Sequence, residues 1–363
     1  MRLLNYRAIC LAVLGLILGS AFISAAPASA PAKIDSNKLL PDDTEAVIAI
    51  NFKQLFESAL IKKIDKKGAD NEHVKKELGF DPMKDLESVV FAIPGGGNGE
   101  KALIIINGAF DAEKLEAKVD EAIKDKSENV KVHEVADGDD TYKVYEVTNL
   151  TELMKKKLPP QLAGPAGANP LADKSIFAAF NQSAVLISGD KDQVVDALKK
   201  ASGKKKTELK SKEMKALLTK IDAKRTISLA ILASAIGKEA TDKFESITGG
   251  ITVGADIQTE IHVNAKDDKA AKDLNKEVDQ GLEQVNGILG FVITQNKDLT
   301  PLVDVVKGIK ASAKDNSVTI KSTITEEVLK QLGEALQAAV KKQLGGPGGN
   351  NDKDDDKDND NDK

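Results

Sequence analysis

The stretch Leu86–Asn107, LESVVFAIPGGGNGEKALIIIN, decides the fold class of this 363-residue chain. Two β-rich runs, about Leu86–Ile93 and Lys101–Asn107, flank a glycine-rich loop that is typical of a hairpin. Strands joined by so short a connection must be antiparallel. The strongly apolar run Ala102–Ile106 is too short to span a membrane and indicates a buried strand.

The same alternation of strand pairs and amphipathic helices continues on both sides of this hairpin. Asp111 is predicted to start a helix, because Leu115, Val119 and Ile123 recur on one face. Further strands of the first half are predicted at Ala46–Phe52, Val130–Val135, Tyr142–Val147, Ser175–Phe180 and Ala184–Ser188. The pattern predicts an α+β fold, with helices packed on one face of an antiparallel sheet.

The second half of the ordered chain repeats much of the first. Thr226–Leu232 corresponds to Ala46–Phe52, and Phe244-Glu-Ser-Ile247 corresponds to Leu86-Glu-Ser-Val89. The last hairpin and closing helix of each half match at a shared offset of 134 residues. We therefore predict two related halves, residues 29–202 and 203–344, with an irregular Pro/Gly-rich insertion at 149–174.

The first 28 residues have the composition of a secretory signal peptide. Arg2 and Arg7 precede an apolar run, and Ala26-Pro-Ala28 fits a cleavage pattern before Ser29. Cleavage there would remove Cys10, the only cysteine, whose position near the start of the apolar run disfavours a lipoprotein. The expected location is periplasmic or extracellular. An uncleaved anchor at Ala8–Ala26 stays an alternative, because 19 residues approach the length of a membrane span.

The other end of the chain, residues 345–363, is predicted to be a disordered acidic tail. No apolar residue follows Leu344, so burial could not offset the entropy of ordering the segment. Alternating carboxylates at Asp354, Asp356 and Asp358 suggest a calcium loop, but its turn glycine and distal glutamate are missing. A solvated tail is the favoured interpretation.

The motifs of common catalytic and cofactor sites are absent. His73, His133 and His262 have no metal-site spacing, and no GxSxG elbow occurs. The cluster Gly95–Gly99 misses the phosphate-binding glycine patterns and joins two strands, which favours a hairpin tip. We therefore predict no catalytic, cofactor-binding or metal-binding residue and no cofactor, and the sequence favours a protein that is not an enzyme.

Composition also bears on the partners. Aromatic residues make up 4% of the chain and there is no Trp, which disfavours carbohydrate binding. Arg225 is the only arginine beyond Arg7, although arginine is the side chain suited to nucleic acids. We therefore predict no nucleic-acid partner. The basic run Lys199–Lys215 is interpreted as a solvated linker and helix face, with contact to an anionic surface as the alternative.

Four segments carry a resemblance to a known group of proteins: Leu40–Ile50, Gly79–Val89, Gly108–Leu115 and Phe180–Asp190. Together they resemble uncharacterised, signal-peptide-bearing exported bacterial proteins of the kind frequent in planctomycetes. The resemblance implies an exported α+β protein of unknown role, and it supplies no catalytic residue.

These observations favour an exported non-enzymatic protein that acts as a binding or structural scaffold in the envelope. Its partner is expected to be an unknown envelope or extracellular molecule. Two alternatives stay open. One is a hydrolase or other enzyme with an unrecognised carboxylate site, and the other is a membrane-anchored assembly factor that depends on an uncleaved Ala8–Ala26.

Overall fold

The structure is a computed structural model that describes residues 35–65, 81–96, 99–109, 111–124, 129–148, 175–181, 184–295, 297 and 300–344. The predicted signal peptide, the insertion at 149–174 and the acidic tail lie outside these residues. The strands are β1 (Thr44–Asn51), β2 (Leu86–Pro94), β3 (Leu103–Gly108), β4 (Val130–Asp137), β5 (Asp140–Val147), β6 (Ile176–Asn181), β7 (Ala184–Ser188), β8 (Ile227–Leu232), β9 (Phe244–Val253), β10 (Ile257–Ala265), β11 (Lys310–Lys314) and β12 (Ser317–Ile324).

The α-helices lie between the strands and after the last one. They are α1 (Phe52–Glu57), α2 (Ala59–Asp65), α3 (Pro82–Asp85), α4 (Ala112–Lys124), α5 (Lys191–Ala201), α6 (Lys212–Leu218), α7 (Ala233–Ile236), α8 (Lys238–Lys243), α9 (Asp268–Gln295), α10 (Pro301–Lys307) and α11 (Glu326–Leu344). Asp111 and Asp267 begin α4 and α9, because each side chain accepts a hydrogen bond from a backbone N–H of the first turn.

All twelve strands form one antiparallel sheet in the order β11-β12-β10-β9-β8-β1-β2-β3-β7-β6-β5-β4. This confirms the α+β class and the antiparallel sheet. The first strands of the two halves pair with each other at the centre, from Ala46 opposite Ile231 to Ile50 opposite Ile227. Pairing of β1 with β8 gives each a partner on what would otherwise be a free edge.

The two sets of strands run in the same order, β1-β2-β3-β7-β6 and β8-β9-β10-β12-β11. The hairpin β4–β5 extends only the first set, and the chain forms α9 and α10 between β10 and β11. A register shift recurs near the start of β2 and of β9. Beside it, Asn107 Nδ2 donates to Ser88 Oγ at 3.1 Å, and Asn264 Nδ2 donates to Ser246 Oγ at 2.8 Å.

The first set is covered on both faces, which corrects the expectation of helices on one face. On the face that we call the front, Leu103 and Ile105 pack with residues of α5 and α6. On the back, Ile104 and Ile106 pack with Phe52 of α1 and with α4. Because β3 is apolar at consecutive positions, both of its faces must be removed from water, each buried side chain contributing about 1.5–3 kcal/mol.

The second set is covered on the back. Ala271 and Leu274 of α9 pack against Val263 of β10 and Val318 of β12. Helix α10 packs against α9, and α11 packs against α10. The front of this half has no helix in the position that α5 takes in the first half, within the part of the chain that the structure describes.

Candidate functional site

The front of the second set is a polar sheet surface, which we call the open face. Directly opposite residues of antiparallel strands share a face, so the register of β9, β10, β12 and β11 defines its members. They are Ser246, Thr248, Gly250, Thr252, Gln258, Glu260, His262, Asn264, Ser317, Thr319, Lys321, Thr323, Lys310, Ser312 and Lys314. His262 lies with Glu260 and Asn264 on the face opposite Ile261 and Val263, as the alternation along β10 predicts.

The open face occupies positions that are apolar core in the first half. Counting back from the equivalent asparagines, Ile105 and Leu103 correspond to His262 and Glu260. Ile105 and Leu103 are fully buried under α5, whereas the side chains of His262 and Glu260 are 38% and 31% exposed. The same sheet positions therefore form a core in one half and a solvent-facing polar surface in the other.

A loop from the first-half core brings two cations to this surface. Met214 and Leu217 anchor α6 in the front core, and the chain then crosses to β8. Arg225 N donates to the backbone oxygen of Asp222 at 3.1 Å, which tightens the loop. At its end Thr226, which is fully buried, accepts a hydrogen bond from Val253 N at its hydroxyl.

Arg225 lies across β9 and reaches β10. Its Nη1 donates to the backbone oxygens of Gly250 at 3.4 Å and Glu260 at 3.1 Å. Its Nη2 donates to Glu260 Oε2 at 2.7 Å. The guanidinium is therefore committed to the sheet and ties the loop before β8 to β10.

Two glycines of β9 make this arrangement possible. A Cβ on Gly250 would lie 2.0 Å from the backbone oxygen of Ile227 and 3.0 Å from Arg225 Cδ. Gly249 has φ +142°, and a Cβ there would lie 2.2 Å from the backbone oxygen of Glu260. The Gly249-Gly250 pair therefore permits the close approach of β8 and β10 and leaves room for Arg225 on the front.

Glu260 is the electrostatic centre of the open face. The hydrogen bonds from Lys321 and then Arg225 lower the pKa of Glu260 from 4.5 to about 2. Lys321 Nζ lies 2.8 Å from Glu260 Oε1. His262 Nε2 lies 3.7 Å from the same oxygen, and its Nδ1 is 3.1 Å from Thr319 Oγ1. The carboxylate is thus held in its charged form.

Beside this cluster is a groove of about 310 Å³. It is lined by Lys220, Asp222, Arg225, Thr248, Gly249, His262, Asn264 and Ser317. Among the described residues no carboxylate forms an ion pair with Lys220. The groove therefore combines hydroxyl and amide groups with one cation that the protein itself does not neutralise.

The basic run predicted as a solvated linker is largely used within the fold. The Lys200 side chain is completely buried, and its Nζ lies 2.8 Å from Asp42 Oδ1 and 2.6 Å from Asp196 Oδ2. Burial raises the pKa of Asp42, but the hydrogen bond from Lys200 and other contacts leave it below its usual value. Lys199, Lys204 and Lys205 also form ion pairs. These lysines fasten α5 and the residues after it to the N-terminal segment and the β4–β5 hairpin.

A serine, a carboxylate and a histidine also meet at the β5 edge, but in a different order from a catalytic triad. Ser175 Oγ donates to Glu146 Oε1 at 2.6 Å, and His133 Nε2 is 2.8 Å from Glu146 Oε2. The Ser175 bond and then the His133 bond lower the pKa of Glu146. In a triad the serine contacts the histidine, whereas here both contact the carboxylate.

Other site predictions compare with the structure as follows. His73 lies outside the described residues, and no group of three or more metal-ligating side chains occurs within them. None of the described helices is both long and apolar enough to span a bilayer. Arg225 was considered in the sequence only as an argument against nucleic-acid binding. The functional signal that could have been read there is its coincidence with Gly249-Gly250 and the polar alternation of β10.

Comparison with known proteins adds little. No protein-family model and no curated protein matches the chain. Among solved structures, the chain is similar to one titled "Structure of crystal form I of TP0453". The two share 10% sequence identity with a TM-score of 0.39, over 82% of this chain and 96% of that chain. At this TM-score the likeness carries no argument about function.

Proposed function

We propose that the protein is an exported, non-enzymatic binding protein of the envelope, and that the open face is its binding surface. Export rests on the composition of residues 1–28, and a scaffold role rests on the single large sheet to which both halves contribute. We also propose that the halves arose by duplication. The shared strand order and the repeated Asn–Ser hydrogen bond support that origin.

The observation that carries the binding role is the contrast between equivalent positions. A duplicated half that kept its apolar front would need a covering helix, as the first half has in α5. The second half instead carries charged and hydroxyl side chains there, arranged around a groove. Concave surfaces with a few convergent polar groups are the usual form of a binding site.

The carboxylates give the enzyme alternative no specific support. A glycosidase-type general acid needs a pKa raised towards neutrality. In the described part of the chain, every carboxyl with a resolved shift has a lowered pKa: Asp42, Asp111, Asp137, Glu146, Glu213 and Glu260. Hydrogen bonds from lysine, serine or backbone groups account for this, so these groups serve as anions in ion pairs and caps.

The binding role is tested by site-directed photo-crosslinking in envelope extract from the native host. If the signal is cleaved before Ser29, the mature chain has no cysteine, so single cysteines can carry a benzophenone label. We expect Ser317→Cys to capture a discrete partner and Lys191→Cys, on α5 of the first half, to capture none. Equal labelling from both positions, or none from Ser317→Cys, would contradict the proposal.

Export and anchoring are tested on the native N-terminus. Mass spectrometry of protein from fractionated cells should give a chain that begins near Ser29 in the soluble envelope fraction. An intact Met1 in the membrane fraction would instead support the anchor formed by Ala8–Ala26, and a cytoplasmic chain would refute export.

A further inference from the structure

We propose that the groove binds the anionic group of a small hydroxylated ligand, a carboxylate or a phosphate, and that Lys220 is the cation that binds it. This inference rests on the proposed binding role of the open face and names its ligand class. The chemistry shared by sugar acids and sugar phosphates is an anion beside several hydroxyl groups.

The first argument is the use of the cations at this site. Arg225 and Lys321 are both paired with Glu260, which leaves no positive charge on that cluster for a ligand to neutralise. Lys220 lines the groove and forms no ion pair with a described residue. An ammonium beside a concave polar surface favours an anion, and a charge-assisted hydrogen bond is stronger than a neutral one.

The second argument is the polar lining around Lys220. Thr248 and Ser317 offer hydroxyl groups, which can both donate and accept hydrogen bonds. Asn264 donates its amide nitrogen to Ser246, which leaves its carbonyl oxygen as an acceptor for a ligand hydroxyl. No aromatic side chain lines the groove, so recognition depends on hydrogen bonds and charge.

The third argument concerns size and field. About 310 Å³ is at the lower end of the range of small-molecule sites, which suits a ligand of monosaccharide size. Lys310 and Lys314 lie on the same face of β11, beyond the groove. Clustered positive charge raises the local concentration of anions and speeds their association.

The test is calorimetric titration of the mature protein at low salt with three probes of similar size: glucuronate, glucose 6-phosphate and glucose. We expect saturable binding of at least one anionic probe, about tenfold or more loss of affinity in Lys220→Gln, and recovery in Lys220→Arg. Lys224→Gln is the matched control, because Lys224 is exposed in the same loop but does not line the groove. Its affinity should equal that of the wild type.

The anionic probes distinguish the source of the charge. Binding of glucuronate alone assigns a carboxylate, and binding of glucose 6-phosphate alone assigns a phosphate. Equal binding of glucose, no binding of either anion at 10-millimolar order concentrations, or equal losses in Lys220→Gln and Lys224→Gln would overturn the proposal. If the anions fail while Ser317→Cys still captures a partner, only the ligand class is wrong and the binding role stands.

Discussion

The substitution Gly250→Ala perturbs the floor of the open face by a single methyl group. The added Cβ would lie 2.0 Å from the backbone oxygen of Ile227, where real contacts are essentially never below 3.0 Å. It would also lie 3.0 Å from Arg225 Cδ. Either β8 and β9 must separate by about 1 Å or Arg225 must leave its position, and both changes weaken the connection to Glu260.

The expected cost follows from these two consequences. Overpacking in a rigid region costs about 1–3 kcal/mol. Loss of the Arg225 hydrogen bonds adds about 1 kcal/mol, because the guanidinium is partly exposed and can be solvated instead. We therefore expect Gly250→Ala to lower the free energy of unfolding by about 2–4 kcal/mol.

Urea denaturation followed by circular dichroism measures this difference, with Gly254→Ala as the matched control. A Cβ on Gly254 would make only an ordinary contact of 3.7 Å with the backbone oxygen of Asp256. The control should change stability by less than about 0.5 kcal/mol. If Gly250→Ala is as stable as Gly254→Ala, the close approach of β8 to β9 and the fixed position of Arg225 are refuted.

Three further outcomes are expected. Lys200→Met should cost about 2–3 kcal/mol in urea denaturation, since it removes a buried ammonium from partners that are partly exposed, whereas Lys206→Met should change little. The stability that Glu260 contributes should be fully present above pH 4.5 and be lost as the pH falls towards about 2, because its folded pKa is lowered. With the side chain 31% exposed, this contribution is about 1–2 kcal/mol, and Glu260→Gln should flatten the acid limb of a stability–pH curve; an unchanged limb contradicts the ion cluster. Tyr145→Phe should cost about 1 kcal/mol by urea denaturation, because Tyr145 donates a 2.8 Å hydrogen bond to Asp120, and a neutral substitution would refute that role.

Much of the fold could be predicted because strand and hairpin signals are local. The predicted strands at Ala46–Phe52, Val130–Val135 and Tyr142–Val147 match β1, β4 and β5 within two residues at each end. Gly138, at φ +64°, forms the turn that its position between two such strands predicts. Local composition and periodicity determine these elements directly.

Long-range pairing could not be predicted in the same way. The contact of β1 with β8 joins residues about 180 positions apart, and neither strand carries a signal for which edge it will pair. The helix expected through Leu55 and Leu60 is interrupted at Ser58, whose φ −64° and ψ 148° are extended. Both features depend on tertiary contacts rather than on local preference.

The register of the proposed repeat also needed the structure. Val185 and Val318 take equivalent places beside β3 and β10, an offset of 133 rather than 134 residues. Because side chains alternate between faces, a one-residue shift exchanges front and back. The sequence offset alone would have assigned the polar residues of β12 to the wrong face of the repeat, and so the contrast between the two fronts was hidden.

The candidate site was missed for a related reason. Lys220, Arg225 and His262 lie on a loop and a strand up to 42 positions apart, and none belongs to a known motif. Only the twist of the chain from α6 into β8, together with Gly249-Gly250, brings them to one groove. A sequence search for fixed spacings therefore has no pattern to detect.

The central claim, that the open face of the second half binds an anionic ligand, is tested most directly by amide chemical-shift mapping. Labelled mature protein is titrated with glucuronate and with glucose 6-phosphate. We expect saturable shifts confined to the groove, at Lys220, Thr248, Gly249, His262, Asn264 and Ser317, with the covered front of the first half unchanged. Shifts spread over exposed lysines of both halves, or no saturable shift at the groove, would contradict the claim.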